Sequence, residues 1–261
     1  MPSIDLKYVR SAAREGDISA AALCTELVAL YGQRFSTVQC TAMNYLFALH
    51  RDGYSHNRSI PAFFDPGLIQ RLNLNALLDG GVDRMNELNE GLEACIRTCG
   101  LRADGHGKRG INDDERLIVD YGKVDLTHPS MKVLLPCVAE AIARYKAFLV
   151  DQRHAFVSWV PPRYQWRVFA AATRGGGWHY PHLHSGAWLV ASYYVRVPSD
   201  SQAFLQFGTG RKELSQPFHA VRPAPGDLVL FSGYFTHATT PPHCNDLRLS
   251  IGLDIQPLPL G

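Results

Sequence analysis

The chain has 261 residues, 26 Lys and Arg against 24 Asp and Glu, and an apolar share of 46%. It is long enough to bury a full core without disulfide staples, and its balanced charge contains no run that would grip a nucleic acid or a lipid surface. No stretch approaches the roughly eighteen apolar residues of a membrane span, the first residues hold no apolar signal core, and the cysteines at 24, 40, 95, 99, 137 and 244 form no repeated CxxC. A cytoplasmic protein with reduced thiols is expected, with neither membrane nor nucleic acid as partner. Nothing in the sequence sets an oligomeric state.

Residues 17–31 read as a helix, with Asp17 as cap, Leu23, Leu27 and Leu30 as an apolar stripe and Gly32 as the stop. A second helix is expected over 37–51, where Ser36 and Gln39 have capping-box spacing and Val38, Ala42, Tyr45 and Leu49 recur at helical intervals. No internal repeat is present. The segment 53–81 is rich in Gly, Asn, Pro and Asp and reads as connection, with one short strand at Ile60 to Phe64. A third helix spans about 82–98, with Cys95 and Cys99 four apart on one face, a spacing that suits either a buried pair or two metal ligands. Gly100 to Glu115 reads as an exposed loop and the seam of the chain. Pro129 to Val150 is helical, with Pro129 in the first turn and Pro136 expected to kink or split it.

After residue 150 the pattern turns from helical to strand-like. The expected strands are His154 to Val160, Gln165 to Thr173, Ala187 to Val197, Gln202 to Phe207, Asp227 to Phe231 and Leu247 to Ile255. They are short, rich in Val, Tyr, Phe and Trp, and separated by Pro, Gly and Ser, the profile of a sandwich or jelly roll. No helical pattern intervenes, which argues against a parallel sheet. The segment Ser199 to Pro225 is expected to cover any pocket.

In the stretch Gly175 to Ser185, His182 and His184 stand one residue apart. On an extended backbone successive side chains alternate, so both imidazoles face the same way. A third ligand from a distant strand, best supplied by His237, would complete one triangular face of a metal and leave the opposite positions open. His179, whose pairing with Tyr180 resembles the HYxPHxD region of prolyl hydroxylases, is by that resemblance the alternative ligand or a contact to a co-substrate. In the last strand Leu247, Leu249, Ile251, Leu253 and Ile255 alternate with Arg248, Ser250, Gly252 and Asp254. Either the polar face is solvated, or it lines a barrel in which the Arg248 fork receives a carboxylate and Ser250 adds a hydrogen bond. Trp178, Trp188 and Tyr193 could line a pocket, though strand aromatics commonly serve as core, the reading favoured for Trp188.

The segments Pro181-His-Leu-His-Ser-Gly-Ala-Trp-Leu-Val-Ala-Ser-Tyr-Tyr-Val195, Gly226-Asp-Leu-Val-Leu-Phe-Ser-Gly-Tyr-Phe-Thr-His-Ala-Thr-Thr-Pro241 and Arg248-Leu-Ser-Ile-Gly-Leu-Asp254 together resemble the iron(II)/2-oxoglutarate oxygenases. The resemblance runs from about 165 to 257. It implies a double-stranded β-helix, iron(II) at His182, His184 and His237, 2-oxoglutarate held through its distal carboxylate by Arg248 and Ser250, and O2 as oxidant. The His179-Tyr180 pair is similar to the HYxPHxD region of prolyl hydroxylases, which makes Tyr180 a further expected co-substrate contact. The wider superfamily has a carboxylate where His184 stands. Ser185, the run Val190-Ala191-Ser192 and Ala238 also depart from the close branch, on the substrate side of the pocket.

The expectation is an α+β fold: a helical region over 1–115, then a double-stranded β-helix over 116–261 with a supporting helix at 129–150. The expected activity is hydroxylation of a small-molecule, amino-acid or peptide substrate. Two rivals remain. A three-histidine cupin such as a thiol dioxygenase has some support in spacing, since Gly176 lies six before His182 and Gly226 eleven before His237. A non-catalytic metal-binding jelly roll is the other.

Overall fold

In a computed structural model of the protein, the described residues are 7–9, 11, 24–25, 37–51, 61–103, 115–199, 203–208, 217–242 and 244–258. Most of the expected helix at 17–31, most of the 100–115 loop, part of the 199–225 connection, and His56, His106 and His243 lie outside them. The helices are α1 (Thr37–Arg51), α2 (Gly81–Thr98) and α3 (Pro129–Asp151). The strands are β1 (Gln70–Asn73), β2 (Arg102–Ala103), β3 (Arg116–Val119), β4 (Tyr164–Thr173), β5 (Leu189–Arg196), β6 (Leu205–Phe207), β7 (His219–Val221), β8 (Asp227–Ser232), β9 (His237–Thr239) and β10 (Arg248–Pro257).

The strands form two sheets. The larger runs β1-β8-β5-β10-β4-β3-β2 and the smaller β7-β6-β9, and every pairing is antiparallel. This is the α+β double-stranded β-helix architecture. β10 sits between β4 and β5, so both its edges are paired, and its Leu249, Ile251, Leu253 and Ile255 face goes to the hydrophobic core. Behind the larger sheet, α3 brings Tyr145 to within 6.3 Å of Trp188, centroid to centroid, and Phe156 stacks on Trp188 at 6.0 Å. Trp188 and Tyr193 are therefore core, the latter with its hydroxyl donated to Asn89 of α2 at 2.6 Å. On the smaller sheet's side α1 packs Phe47 against Phe218 and Phe235.

Two expected strands are 3-10 helices instead. Pro61–Phe64 is one, and Ala155–Trp159 is the other. In the second, His154 Nδ1 accepts the Phe156 N–H at 2.9 Å and closes the turn, while Phe156 and Trp159 anchor it in the aromatic core. Pro136 does not split α3. It lies on the exposed face, where the carbonyl it leaves unbonded can reach water. Cys95 and Cys99 both meet Asp125, the first directing its thiol at Asp125 O (3.8 Å) and the second accepting the Asp125 N–H (3.3 Å); burial pushes the Cys95 thiol up to about 11, and among the described residues no group of three metal-binding side chains includes them.

The first 115 residues share the sheet with the rest of the chain, through β1 on β8 and β2 on β3. Among the described residues no helix is long and apolar enough to cross a membrane.

Candidate metal centre

His182 lies on the extended stretch leading into β5, and His237 opens β9. Their backbones exchange two hydrogen bonds, His182 N to His237 O at 3.0 Å and His237 N to His182 O at 2.9 Å. Residues opposed in this way project their side chains to the same side of the ladder, so the two imidazoles meet, with ring centroids 4.3 Å apart. His184, two residues on, falls on the same face, its ring 5.2 Å from that of His182 and 5.1 Å from that of His237. Its N–H is held by Gly233 O at 3.1 Å. A Cβ at Gly233 would come within 2.1 Å of Ala187 O and 2.6 Å of His184 O, so only glycine permits this approach. α1 braces the adjoining turn, with Asn44 Nδ2 donating to Tyr234 O at 3.0 Å and to Thr236 Oγ1 at 2.5 Å.

One nitrogen from each of His182, His184 and His237 lies within 4.8 Å of the others, the one such group of metal-binding side chains among the described residues. All three Nδ1 atoms look outward: His182 Nδ1 to Tyr180 O (2.6 Å), His237 Nδ1 to Phe235 O (3.0 Å) and His184 Nδ1 to Asp254 Oδ1 (2.7 Å). This leaves the three Nε2 atoms for a metal. Burial, reinforced by the neighbouring His184, lowers the His182 pKa to about 4, although the outer edge of the residue is exposed at the mouth. Burial and the other two imidazoles hold His237 well below the ordinary histidine range. Both rings are thus neutral near pH 7, the form that ligates. The donor set fits a divalent transition metal such as iron.

The imidazoles stand in the wall of a cavity. Period-two alternation builds its wall: Phe169, Ala171 and Thr173 from β4, Val190, Ser192 and Tyr194 from β5, and Arg248, Ser250 and Gly252 from β10. Arg248 is 4% exposed. Its Nη2 donates to Tyr194 Oη at 3.3 Å, while its buried Nη1 has no hydrogen-bond partner. A guanidinium left half-satisfied inside an apolar wall is costly unless something anionic completes it, so the residues fit a carboxylate co-substrate. Ser250 Oγ lines the same wall and donates to Ala171 O at 3.3 Å.

His179 also lines the cavity, beside Thr239, with its Nδ1 3.4 Å from Thr239 Oγ1 and its pKa held well below the usual range by burial and then by the Arg116 charge. It is not one of the three clustered imidazoles. The Tyr180 ring packs on Trp178 at 4.4 Å and beneath Arg116 at 5.6 Å, outside the cavity wall, and it is the Tyr180 carbonyl that serves the site. Tyr194, Thr173 and Thr239 were not singled out from the sequence. The inward register of Val190, Ser192 and Tyr194 carried the signal, since it turns Tyr194 into the cavity and Tyr193 away from it.

Residues 166–254 match the family described as "Putative 2OG-Fe(II) oxygenase". No curated protein matches the chain. Among solved structures, a non-heme alpha-ketoglutarate-dependent carbocyclase, SnoK from nogalamycin biosynthesis, is similar at TM-score 0.52 and 12% identity, covering 79% of this chain and 85% of its own. A prolyl-4-hydroxylase from Pseudomonas putida gives TM-score 0.48 at 16% identity, covering 74% and 94%. A prolyl hydroxylase from Trichoplax adhaerens, solved with a hypoxia inducible factor peptide fragment, gives 0.48 at 15%, covering 84% and 92%. At such identities the likeness to SnoK is one of fold.

Proposed function

We propose, from the match of residues 166–254 to the 2OG-Fe(II) oxygenase family, that this chain is an oxygenase of that kind and hydroxylates an unactivated C–H bond of a small-molecule, amino-acid or peptide substrate. Enzymes of this family use iron(II), 2-oxoglutarate and O2. When bound, the metal and co-substrate supply the oxidising chemistry, with 2-oxoglutarate decarboxylated to succinate. His182, His184 and His237 hold the metal through Nε2. Arg248 receives the distal carboxylate of 2-oxoglutarate, with Tyr194 fixing the plane of its fork and Ser250 beside it.

The observation that carries this reading is the buried, unpartnered Nη1 of Arg248 in the same cavity as the three imidazoles. The cation calls for a carboxylate, which 2-oxoglutarate supplies; a non-catalytic metal site has no use for it, and a thiol substrate would need a carboxylate of its own to engage it. The apolar portion of the wall, Phe169, Val190, Leu205 and Phe231, is the side against which the substrate packs. Six free cysteines, scattered without a disulfide framework, support a cytoplasmic location. The test is calorimetric titration of 2-oxoglutarate into the anaerobic iron(II) protein, followed by succinate release in air. Binding with slow uncoupled succinate formation is expected, and protein that binds metal but neither binds 2-oxoglutarate nor forms succinate would refute the reading.

A further inference from the structure

Of the three clustered imidazoles, His184 alone turns its Nδ1 to a carboxylate. Its neighbours His182 and His237 use the backbone carbonyl two residues before them, Tyr180 O and Phe235 O, whereas the corresponding carbonyl for His184, His182 O, accepts the His237 N–H. Instead Asp254, on the inward face of β10 and 4% exposed, places Oδ1 2.7 Å from His184 Nδ1. The ring approaches obliquely, so Oδ1 is left without a hydrogen bond of good direction, while Oδ2 accepts the Tyr121 hydroxyl at 2.8 Å. Tyr121 is itself clamped, with the Arg167 guanidinium 4.2 Å above its ring and the Phe169 ring 5.0 Å away. The result is a line of contacts running Tyr121, Asp254, His184.

We infer that Asp254 is a positioning residue of the metal centre. Its carboxylate, 2.7 Å from Nδ1 of His184, favours the tautomer with the proton on Nδ1, which presents Nε2, and sets one negative charge behind a face of neutral ligands. A carboxylate ligand would bring that charge in front of the metal; here the chain supplies it from behind. Tyr121 holds the carboxylate in the required rotamer. Partners of this kind raise ligand basicity as well as orient the ring, and their loss typically costs about 10–100-fold in metal affinity. The inference rests on the proposed ligand set.

The test uses Co(II), which is redox-stable and reports its ligand field by absorption, on the full chain. Asp254→Asn keeps the volume and removes the charge, Tyr121→Phe removes only the support, and His184→Ala supplies the reference background. Asp254→Asn is expected to weaken Co(II) binding by about 10–100-fold and to shift the absorption bands, with Tyr121→Phe smaller in the same direction. In the His184→Ala background Asp254→Asn is expected to cost almost nothing more, because its effect passes through that ring. Thermal melts of the metal-free variants check that the fold is kept. Equal losses in both backgrounds, or an Asp254→Asn protein that binds Co(II) as the parent does with unchanged bands, would overturn the inference while leaving the metal site standing. A parent protein that binds no Co(II) at all would overturn both.

Discussion

Arg248 and Tyr194 meet on the cavity wall through adjoining strands, the guanidinium carbon 5.1 Å from the Tyr194 ring centroid and Nη2 3.3 Å from its hydroxyl. The tyrosine occupies one edge of the guanidinium and leaves the other, with Nη1, open to a ligand. Removing one partner of a buried, hydrogen-bonded charge pair costs about 2–5 kcal/mol. Arg248→Ala should therefore weaken 2-oxoglutarate binding by roughly thirty-fold to several thousand-fold, at about 1.4 kcal/mol per tenfold, with metal binding little changed. Arg248→Lys should recover only part, for lack of the planar fork, and Tyr194→Phe should cost about tenfold or less. Anaerobic calorimetry measures all three, and an undiminished affinity in Arg248→Ala would remove Arg248 from the site.

The ligand set makes a separate prediction. His182→Ala and His237→Ala should lose metal while keeping the fold, because each ring is one corner of a three-cornered site. His184→Asp should retain part of the binding, since it restores a donor that suits iron. His179→Ala should keep the metal, because that ring stands beside Thr239 and apart from the cluster. Metal content after dialysis decides it: His184→Ala loading as well as the parent, with His179→Ala empty, would exchange the two roles.

Much of this site was legible because both its parts depend on period two. The spacing of His182 and His184, and the alternation from Arg248 to Asp254, need only an extended backbone to place their side chains. What was not legible depends on partners distant in sequence. β1 and β3 are four residues long, and each takes its extended form from the strand it pairs with, β8 and β4 respectively. Ala155–Trp159 has the aromatic and β-branched content of a strand, yet the His154 cap and the burial of Phe156 and Trp159 close it into a turn. Asp254 was visible as a polar member of the last strand. Its meeting with His184 and Tyr121 belongs to the fold, since those residues come from three separate parts of the chain.

The buried histidines give the metal-free protein a defined pH dependence. Burial lowers the pKa of His154, lowers that of His182 to about 4, and takes His179 and His237 well below the ordinary range. In the unfolded chain all four titrate near 6.5. Between about pH 4 and 6.5 the unfolded state therefore binds more protons, and stability rises with pH. The contribution is fully present above about pH 6.5 and is lost as pH falls toward the folded values. Protonation of His154 also removes the acceptor that caps the 3-10 turn. Urea midpoints of metal-free protein should fall steadily from pH 7 to pH 5, and a flat profile would contradict the assigned burial.

We propose that residues 1–115 support the double-stranded β-helix of 116–261 as part of one cooperative body, and Asp227 is the residue that tests it. Its carboxylate is 1% exposed and joins both regions: it accepts the Ala224 N–H at 2.7 Å, takes Asn73 Nδ2 at 2.9 Å, and lies 2.7 Å from Arg71 Nη2. Arg71 is 48% exposed, so solvent screens the ion pair and little stability comes from the charge itself. The half-buried donors Ala224 N–H and Asn73 Nδ2 matter more, because both lose the carboxylate as acceptor. Asp227→Ala should destabilise by about 1–3 kcal/mol, while Arg71→Ala should stay within about 1 kcal/mol. Because β1 closes the exposed edge of β8, the loss should appear in a single unfolding transition that metal-site absorbance and backbone circular dichroism report together. A fragment of residues 116–261 would leave β8 unpaired along that edge and bare the sheet face that α2 covers, so it should aggregate or fail to melt cooperatively. A soluble fragment that unfolds cooperatively and binds metal like the full chain would show instead that the first 115 residues are dispensable to the fold.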